Sequence, residues 1–364
     1  MKKTIHKIYF KNANNMREVS DETINLVVTS PPYPMIEMWD KLFSKLNTKI
    51  KDLIKEGNGP KAYQLMHQEL DKVWIEVDRV MAPGGIVCIN IGDATRKVGD
   101  EFRLYPNHSR IISFFSESLG YQVLPFIIWR KQSNKPTKFM GSGMLPPNAY
   151  VTHEHEYILI FRKDGPRQFK TEEEKERRRE SAYFWEERNK WFSDVWTDLT
   201  GVSQKLNHKG LRERAAAYPF ELAYRLINMY SIIGDWVLDP FLGTGTTTAA
   251  AACTGRNSIG YEIDPNFKEL IESRIAETIK FAKEVVMERI RKHMDFVKEK
   301  GGKYLSVNYG FRVVTGQERN IRLYLMKNYK KRDDNTLEVH YKEISALDIE
   351  KTYKKRVQAK LIEI

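Results

Sequence analysis

Two cysteines in 364 residues leave no material for a disulfide framework or a cysteine zinc cluster. Cys88 in GGIVCINIG and Cys253 in AAACTG stand among small and apolar residues, the setting of buried thiols. No run of about 18 uncharged apolar residues exists, which excludes a membrane-spanning helix. The opening MKKTIHKIYF carries two lysines but no apolar h-region and no cleavage signal. No secretory address is read there, and a cytoplasmic location is expected. Wholesale disorder is excluded by 41% apolar and 12% aromatic residues, enough for a substantial core. The excess lies in positive charge, 60 Lys+Arg against 48 Asp+Glu, a net +12. That balance points to a polyanionic partner, nucleic acid before a membrane surface.

At about 150 residues per domain, the length fits one large domain with an appendage or two modest ones. INLVVT (24–29) is a β-branched run stopped by Ser30-Pro31-Pro32. IVCINIG (86–92), YQVLPFIIW (121–129), HEYILIFR (155–162), DWVLD (235–239) and SIGYEI (258–263) read as further strands. Helical periods fill 61–81, 108–119, 218–233, 246–254 and 265–300, and the charged stretch 170–190 reads as an exposed helix. This alternation predicts an α/β fold with a mostly parallel, twisted sheet covered by helices on both faces. Residues 131–148 hold three lysines, three prolines and two glycines without a period. They are expected to form a functional loop in which Lys135 and Lys138 meet the substrate.

Past Gly302 the pattern turns β-like, in LSVNYGFRVV and NIRLYLMK. From 281 to 364 there are 20 Lys+Arg against 12 Asp+Glu, so eight of the twelve net charges lie in the last 84 residues. Tyr304, Tyr309, Phe311, Tyr324 and Tyr329 alternate there with Arg312, Arg319, Arg322 and Lys327. Such a surface would hold phosphates and stack on bases. The expected division is a catalytic domain over 1–280 with a charged insertion at about 164–214, a connecting helix over 281–302, and a basic nucleic-acid-binding module over 303–364.

Two motifs carry chemistry. In Asp239-Pro240-Phe241-Leu242-Gly243-Thr244-Gly245-Thr246, between a strand and a helix, the glycines admit a ligand close to the backbone. The following helix N-terminus favours an anion or carboxylate. Glu262, ending the next strand, is placed to bond ribose hydroxyls. No Gly-Lys-Ser/Thr follows the glycines, which excludes a Walker phosphate loop. In Thr29-Ser30-Pro31-Pro32-Tyr33-Pro34, two prolines end the strand and leave carbonyls without ladder partners. A hydroxyl, a bare carbonyl and an aromatic face are thereby held at a strand's carboxyl end, where α/β sheets place ligands.

Together, TSPPY and DPFLGTGTT resemble the two signatures of the S-adenosylmethionine-dependent amino-methyltransferases, in the permuted β-class order with the catalytic motif first. GGIVCINIGD (84–93), HEYILIFRK (155–163) and YPFELAYRLINMYSIIGDWVLDPFLGTGTT (218–247) with GYEID (260–264) extend the resemblance over roughly 5–280. It implies a Rossmann-like methyltransferase, S-adenosyl-L-methionine as cofactor, S-adenosyl-L-homocysteine as product, no metal, and a nucleic-acid base amine as methyl acceptor. Ser30, Pro31, Pro32 and Tyr33 become the catalytic segment: the Ser30 hydroxyl and Pro31 carbonyl accept from the amine, and Tyr33 stacks on a base rotated out of its helix. Asp239, Phe241, Gly243, Gly245 and Thr246 are assigned to the methionine part and its cradle, Glu262 to ribose, and Pro219-Phe220 to the covering helix. Asn12, Ala13, Thr29, Pro240 and Asp264 complete the expected cofactor shell, although Lys11-Asn12 stands where the family commonly has Gly-Asp. Asp93 is expected as a supporting or substrate contact beside the cleft.

Cytosine C5 methylation requires a cysteine after a proline, and neither cysteine has one, so that reaction is excluded. Ser30 in the first motif position favours cytosine N4, with adenine N6 as an alternative and a catalytically silent binding protein as another. DNA is the family default. The insertion is short for reading base edges, so structured RNA such as ribosomal RNA, held by the C-terminal module, is carried at nearly even weight. His153 and His155 lack a third ligand at zinc spacing and read as structural. A monomer or homodimer is expected.

Overall fold

The computed structural model describes residues 3–131, 140–199, 218–345 and 348–349; Lys135 and Lys138 lie outside the described residues. The strands of the main sheet are β1 Lys3–Tyr9, β2 Ile24–Thr29, β3 Met81–Ile91, β4 Gln122–Arg130, β5 His155–Arg162, β6 Val195–Trp196, β7 Trp236–Asp239, β8 Asn257–Tyr261, β9 Tyr324–Asp333 and β10 Thr336–Glu343. They pair in the order β6-β4-β5-β3-β2-β7-β8-β1-β10-β9. The five central strands, β3 to β1, are mutually parallel, and antiparallel strands lie to either side.

The helices are α1 Asp40–Leu46, α2 Lys49–Lys55, α3 Gly59–Val80, α4 Asn107–Ser113, α5 Glu172–Glu180, α6 Trp185–Trp191, α7 Phe220–Tyr230, α8 Thr246–Cys253 and α9 Lys268–Lys300. None among the described residues is long and apolar enough to cross a membrane. Strand alternation splits β2 between two cores: Leu26 and Val28 face α7, α8 and α9, while Val27 faces the core of α3. All eight residues of α8, TTTAAAAC, are buried, because their small side chains let the helix lie close to the sheet. Cys88 and Cys253 are buried thiols.

Two sequence boundaries are redrawn. The stretch 170–190 is two helices, α5 and α6, because the chain turns between them to bury Phe184 against His293, ring centroids 3.9 Å apart. The sheet also crosses the expected boundary at 303, since β10 pairs antiparallel with β1 and β9 with β10. A directional chain of buried bonds fastens that junction. The Tyr341 hydroxyl donates to the Ala252 carbonyl at 2.6 Å, so Thr4 must donate to Tyr341 (2.8 Å). His6 Nε2 then donates to Thr4 (2.8 Å), and His6 Nδ1 accepts from Ser258 (2.9 Å). Burial pulls the His6 pKa down to about 3, which keeps the ring neutral as this chain requires.

Phe184 joins Val286, Ile290, Tyr309, Val313, Ile321 and Leu325 in a third core, so the insertion and the C-terminal segment pack as one layer. Tyr309 and Tyr324 are buried there and against the sheet instead of standing open to bases. Over LSVNYGFRVV the strand pairing is confined to Leu305 with Arg312 and to Val313 with the preceding Tyr304. This layer closes the amino ends of the parallel strands. A cleft of about 850 Å³ opens there, with Arg162, Arg178 and Arg188 among its lining residues.

Candidate active site

After β2 the chain runs outward to β3, and after β7 it runs the other way to β8, so adjacent β2 and β7 form the topological switch point where α/β sheets bind ligands. Both motifs end there. Thr29, the last residue of β2, donates its hydroxyl to Asp239, the last of β7, at 2.6 Å. Asp239 also accepts from Thr247 (2.5 Å), Tyr218 (3.2 Å) and the Phe241 N–H (3.1 Å). Burial pushes its carboxyl up from the ordinary value, and the hydroxyl bonds oppose that shift. The Asp239 side chain is therefore a brace tying β2, β7, α8 and the segment before α7 into one unit.

The cradle follows directly. Gly243 and Gly245 adopt φ of +53° and +81°, and a Cβ on Gly245 would stand 3.1 Å from Ile271. Gly245 caps α8, so Thr246 opens that helix. Across the loop, Glu262 accepts from Gly243 N–H at 2.8 Å and Asp264 N–H at 2.9 Å. Burial raises the Glu262 pKa to about 7. Asp264 turns its own carboxylate to Asn266 N–H (3.1 Å), capping the turn Pro265–Phe267. Ile263, between the two acids, is 44% exposed. Pro240 is buried, and Phe241 packs edge-on against Trp74. Pro219 is the N-cap of α7, and Phe220 stacks on Tyr224. Past β1, Ala13 is buried and Asn12 accepts from Asn14 N–H at 2.9 Å. Asn12 is thus engaged in its own turn.

On the β2 side, Pro31 and Pro32 are buried, and no hydrogen bond to the Pro31 carbonyl forms among the described residues. The Tyr33 ring is half-buried with its hydroxyl enclosed. That hydroxyl lies 3.1 Å from Ser30 Oγ, 2.8 Å from Asn90 Nδ2 and 2.9 Å from Glu156 Oε2. Lys131 Nζ holds the other Glu156 oxygen at 2.9 Å. Gly92 is needed beside them, since a Cβ there would stand 3.0 Å from the Tyr33 ring. Asn107 ties the ends of β2 and β3 together, donating to the Pro34 carbonyl (3.1 Å) and the Gly92 carbonyl (2.9 Å). Asp93 is buried against His108, both of its oxygens 2.8 Å from Nδ1. Its carboxylate is thus a support for the start of α4.

The family model described as DNA methylase matches residues 24–273. The chain belongs to this N6/N4 amino-methyltransferase family. The methylase is 73% identical over 344 residues to the type II methyltransferase M.MthZI of Methanothermobacter thermautotrophicus, covering 94% of this chain and 97% of that one. It is 55% identical over 283 residues to the type II methyltransferase M.MjaI of Methanocaldococcus jannaschii, covering 75% and 91% respectively. A Thermus thermophilus protein solved in complex with S-adenosyl-L-methionine superposes with a TM-score of 0.58 at 32% identity, over 75% of this chain and 94% of that one.

The methylase brings Ser30, Pro31, Tyr33, Gly243, Gly245 and Glu262 to one end of the sheet, as sequence reading expects. Sequence reading misses Asn90, Glu156 and Lys131. The available signal for Glu156 is a charged residue inside the otherwise apolar strand HEYILIF. In that stretch the flanking histidines, His153 and His155, draw the attention.

Proposed function

We propose that this methylase transfers the methyl group of S-adenosyl-L-methionine to the exocyclic N4 amine of a cytosine in DNA, as the modification enzyme of a type II restriction system. The observation that carries the reading is Ser30 Oγ and the unbonded Pro31 carbonyl beside Tyr33, one strand away from the Gly243–Gly245 cradle. An exocyclic amine is a poor nucleophile because its lone pair is delocalised into the ring. Two acceptors aimed at its N–H groups draw the nitrogen toward a tetrahedral shape and stabilise the positive charge that develops on it. Tyr33 offers its ring face to an extruded base while its hydroxyl is held from behind.

The residues present suit the cofactor. Glu262 faces two main-chain N–H groups that ribose hydroxyls can join, Ile263 offers an apolar surface to a flat ring, and the start of α8 favours a carboxylate. Bound there, the cofactor supplies an electrophilic sulfonium methyl. Holding the amine about 3 Å from it in line is this chain's further contribution. The RNA alternative rests on the short insertion and on the positive charge of the C-terminal segment; burial of Tyr309 and Tyr324 leaves that segment fewer open aromatic faces for bases than its composition suggests. The deciding experiment incubates the full chain with labelled S-adenosyl-L-methionine and either genomic DNA or total RNA, then identifies methylated nucleosides by mass spectrometry. N4-methylcytosine from DNA is expected. N6-methyladenine would replace the base assignment, and label confined to RNA would overturn the reading.

A further inference from the structure

The direction of every hydrogen bond behind Ser30 is fixed by its neighbours. Asn90 Nδ2 lies 2.8 Å from the Tyr33 oxygen and 2.7 Å from Glu156 Oε2. Turning that amide over would set its oxygen against a carboxylate oxygen, so the NH2 end faces both and donates to both. Glu156, paired through its other oxygen with the Lys131 ammonium at 2.9 Å, is a carboxylate with acceptors alone to offer. The Tyr33 proton therefore goes to Glu156 at 2.9 Å. Burial, and then the Glu156 charge, push the phenol pKa well above its ordinary value, so it remains a donor at neutral pH. With that proton committed, the 3.1 Å contact between Ser30 and Tyr33 has one possible donor, the serine hydroxyl. Ser30 is left with lone pairs alone for the substrate. The neighbouring Pro31 carbonyl also only accepts.

We propose that Glu156 is a positioning residue which, through Asn90 and Tyr33, makes Ser30 an obligate acceptor, so that the site admits a base presenting an exocyclic amine and rejects one presenting a carbonyl there. The proposal rests on the reading that a base amine is methylated beside Ser30, and it adds the device that sets the polarity of the pocket. Cytosine and uracil differ at that ring position by an amine against a carbonyl. A carbonyl would meet two acceptors with no proton between them, a desolvated repulsion. A glutamine at 156 has an NH2 group that can donate to Tyr33, which frees the phenol proton to point at Ser30 and lets the serine present its own proton to the base.

The test uses the full chain, tritiated S-adenosyl-L-methionine and unmethylated genomic DNA under single-turnover conditions, with cofactor affinity by calorimetry and melting temperature recorded for each variant. Glu156→Gln is expected to slow methyl transfer by about 30-fold or more, the scale of a lost preorganised bond, with DNA and cofactor affinity changed less than about threefold. Glu156→Asp should recover part of the rate because it keeps an acceptor. Tyr33→Phe breaks the same chain, so the double variant should be no slower than Tyr33→Phe alone. A wild-type rate in Glu156→Gln overturns the role of Glu156 alone. So does a loss that tracks melting temperature, gains nothing from aspartate and adds to Tyr33→Phe, since that is the behaviour of structural support. Absence of any methylated base amine with the wild-type chain overturns both this proposal and the functional reading beneath it.

Discussion

Carboxylates around the Gly243–Gly245 cradle are held by a different kind of bond from those at the amino ends of the parallel strands. At the amino ends, carboxylates meet arginines: Arg167 grips Asp235 at 2.6 and 3.0 Å, Arg289 grips Glu187 at 2.5 and 2.8 Å, and Arg322 reaches Glu180 at 2.8 Å. At the carboxyl ends, Asp239 and Glu262 are held by hydroxyls and main-chain N–H groups. A bidentate arginine engages both oxygens of a carboxylate and closes the structure around it. Glu262, with two main-chain donors, keeps acceptor capacity, so a ligand hydroxyl can be added there without breaking an ion pair. The contrast separates the end built to hold from the end built to bind.

Arg289→Ala attacks the holding end and should have the largest effect. It strands Glu187 in the core, and unfolding in urea should show a loss of about 3–5 kcal/mol, with turnover per folded molecule unchanged. A loss of turnover equal to that seen at the binding end would dissolve the distinction. Ser30→Ala attacks the binding end: methyl transfer should fall by about 10²–10³-fold, while melting temperature and cofactor affinity by calorimetry stay near wild type.

Asp239→Asn lies between the two. It replaces an acceptor that Thr29, Thr247 and Tyr218 share, so roughly 1–3 kcal/mol of stability should go together with weaker cofactor binding. Lost stability with unchanged cofactor affinity would confine Asp239 to the brace. Glu262 gives the smallest effect and the sharpest sign. Its folded pKa, about 7, is raised, so its contribution to fold stability is present at low pH and fades as pH climbs through 7. Cofactor affinity should run the opposite way, rising as pH climbs through that same value, because the ionised carboxylate is the better acceptor for ribose hydroxyls. Glu262→Gln should bind more weakly with no such rise, and a flat wild-type profile would remove Glu262 from the ribose site.

What could be read in the sequence follows the same division. The binding end is written in contiguous words: β-branched INLVVT running into two prolines, and a strand running into two glycines that need positive φ. Local sterics dictate both, and local sterics leave a trace in a short window. Glu156 reaches Tyr33 only because β5 runs antiparallel beside β3, a pairing between residues more than 60 positions apart. The third core is farther from legibility, with Phe184 meeting Ile290 and Tyr309 from segments more than 100 positions away. Hydrophobic periodicity reports which face of an element is apolar, and it carries no address for the partner. For the same reason, the tyrosines after 303 have the composition of a binding surface while two of them serve as core.

The place of β1 in the sheet has a consequence for biosynthesis. It lies between β8 and β10, and its Thr4 is bonded to Tyr341, 337 positions away. Of the strands in this sheet β1 is made before the others, yet it is among the last to gain both neighbours, and until β10 emerges one edge of β1 stays open to pairing with another nascent chain. Contacts of such separation close slowly. Lys3 and Lys7, the exposed or half-exposed charges along that strand, are suited to keep the waiting edge soluble.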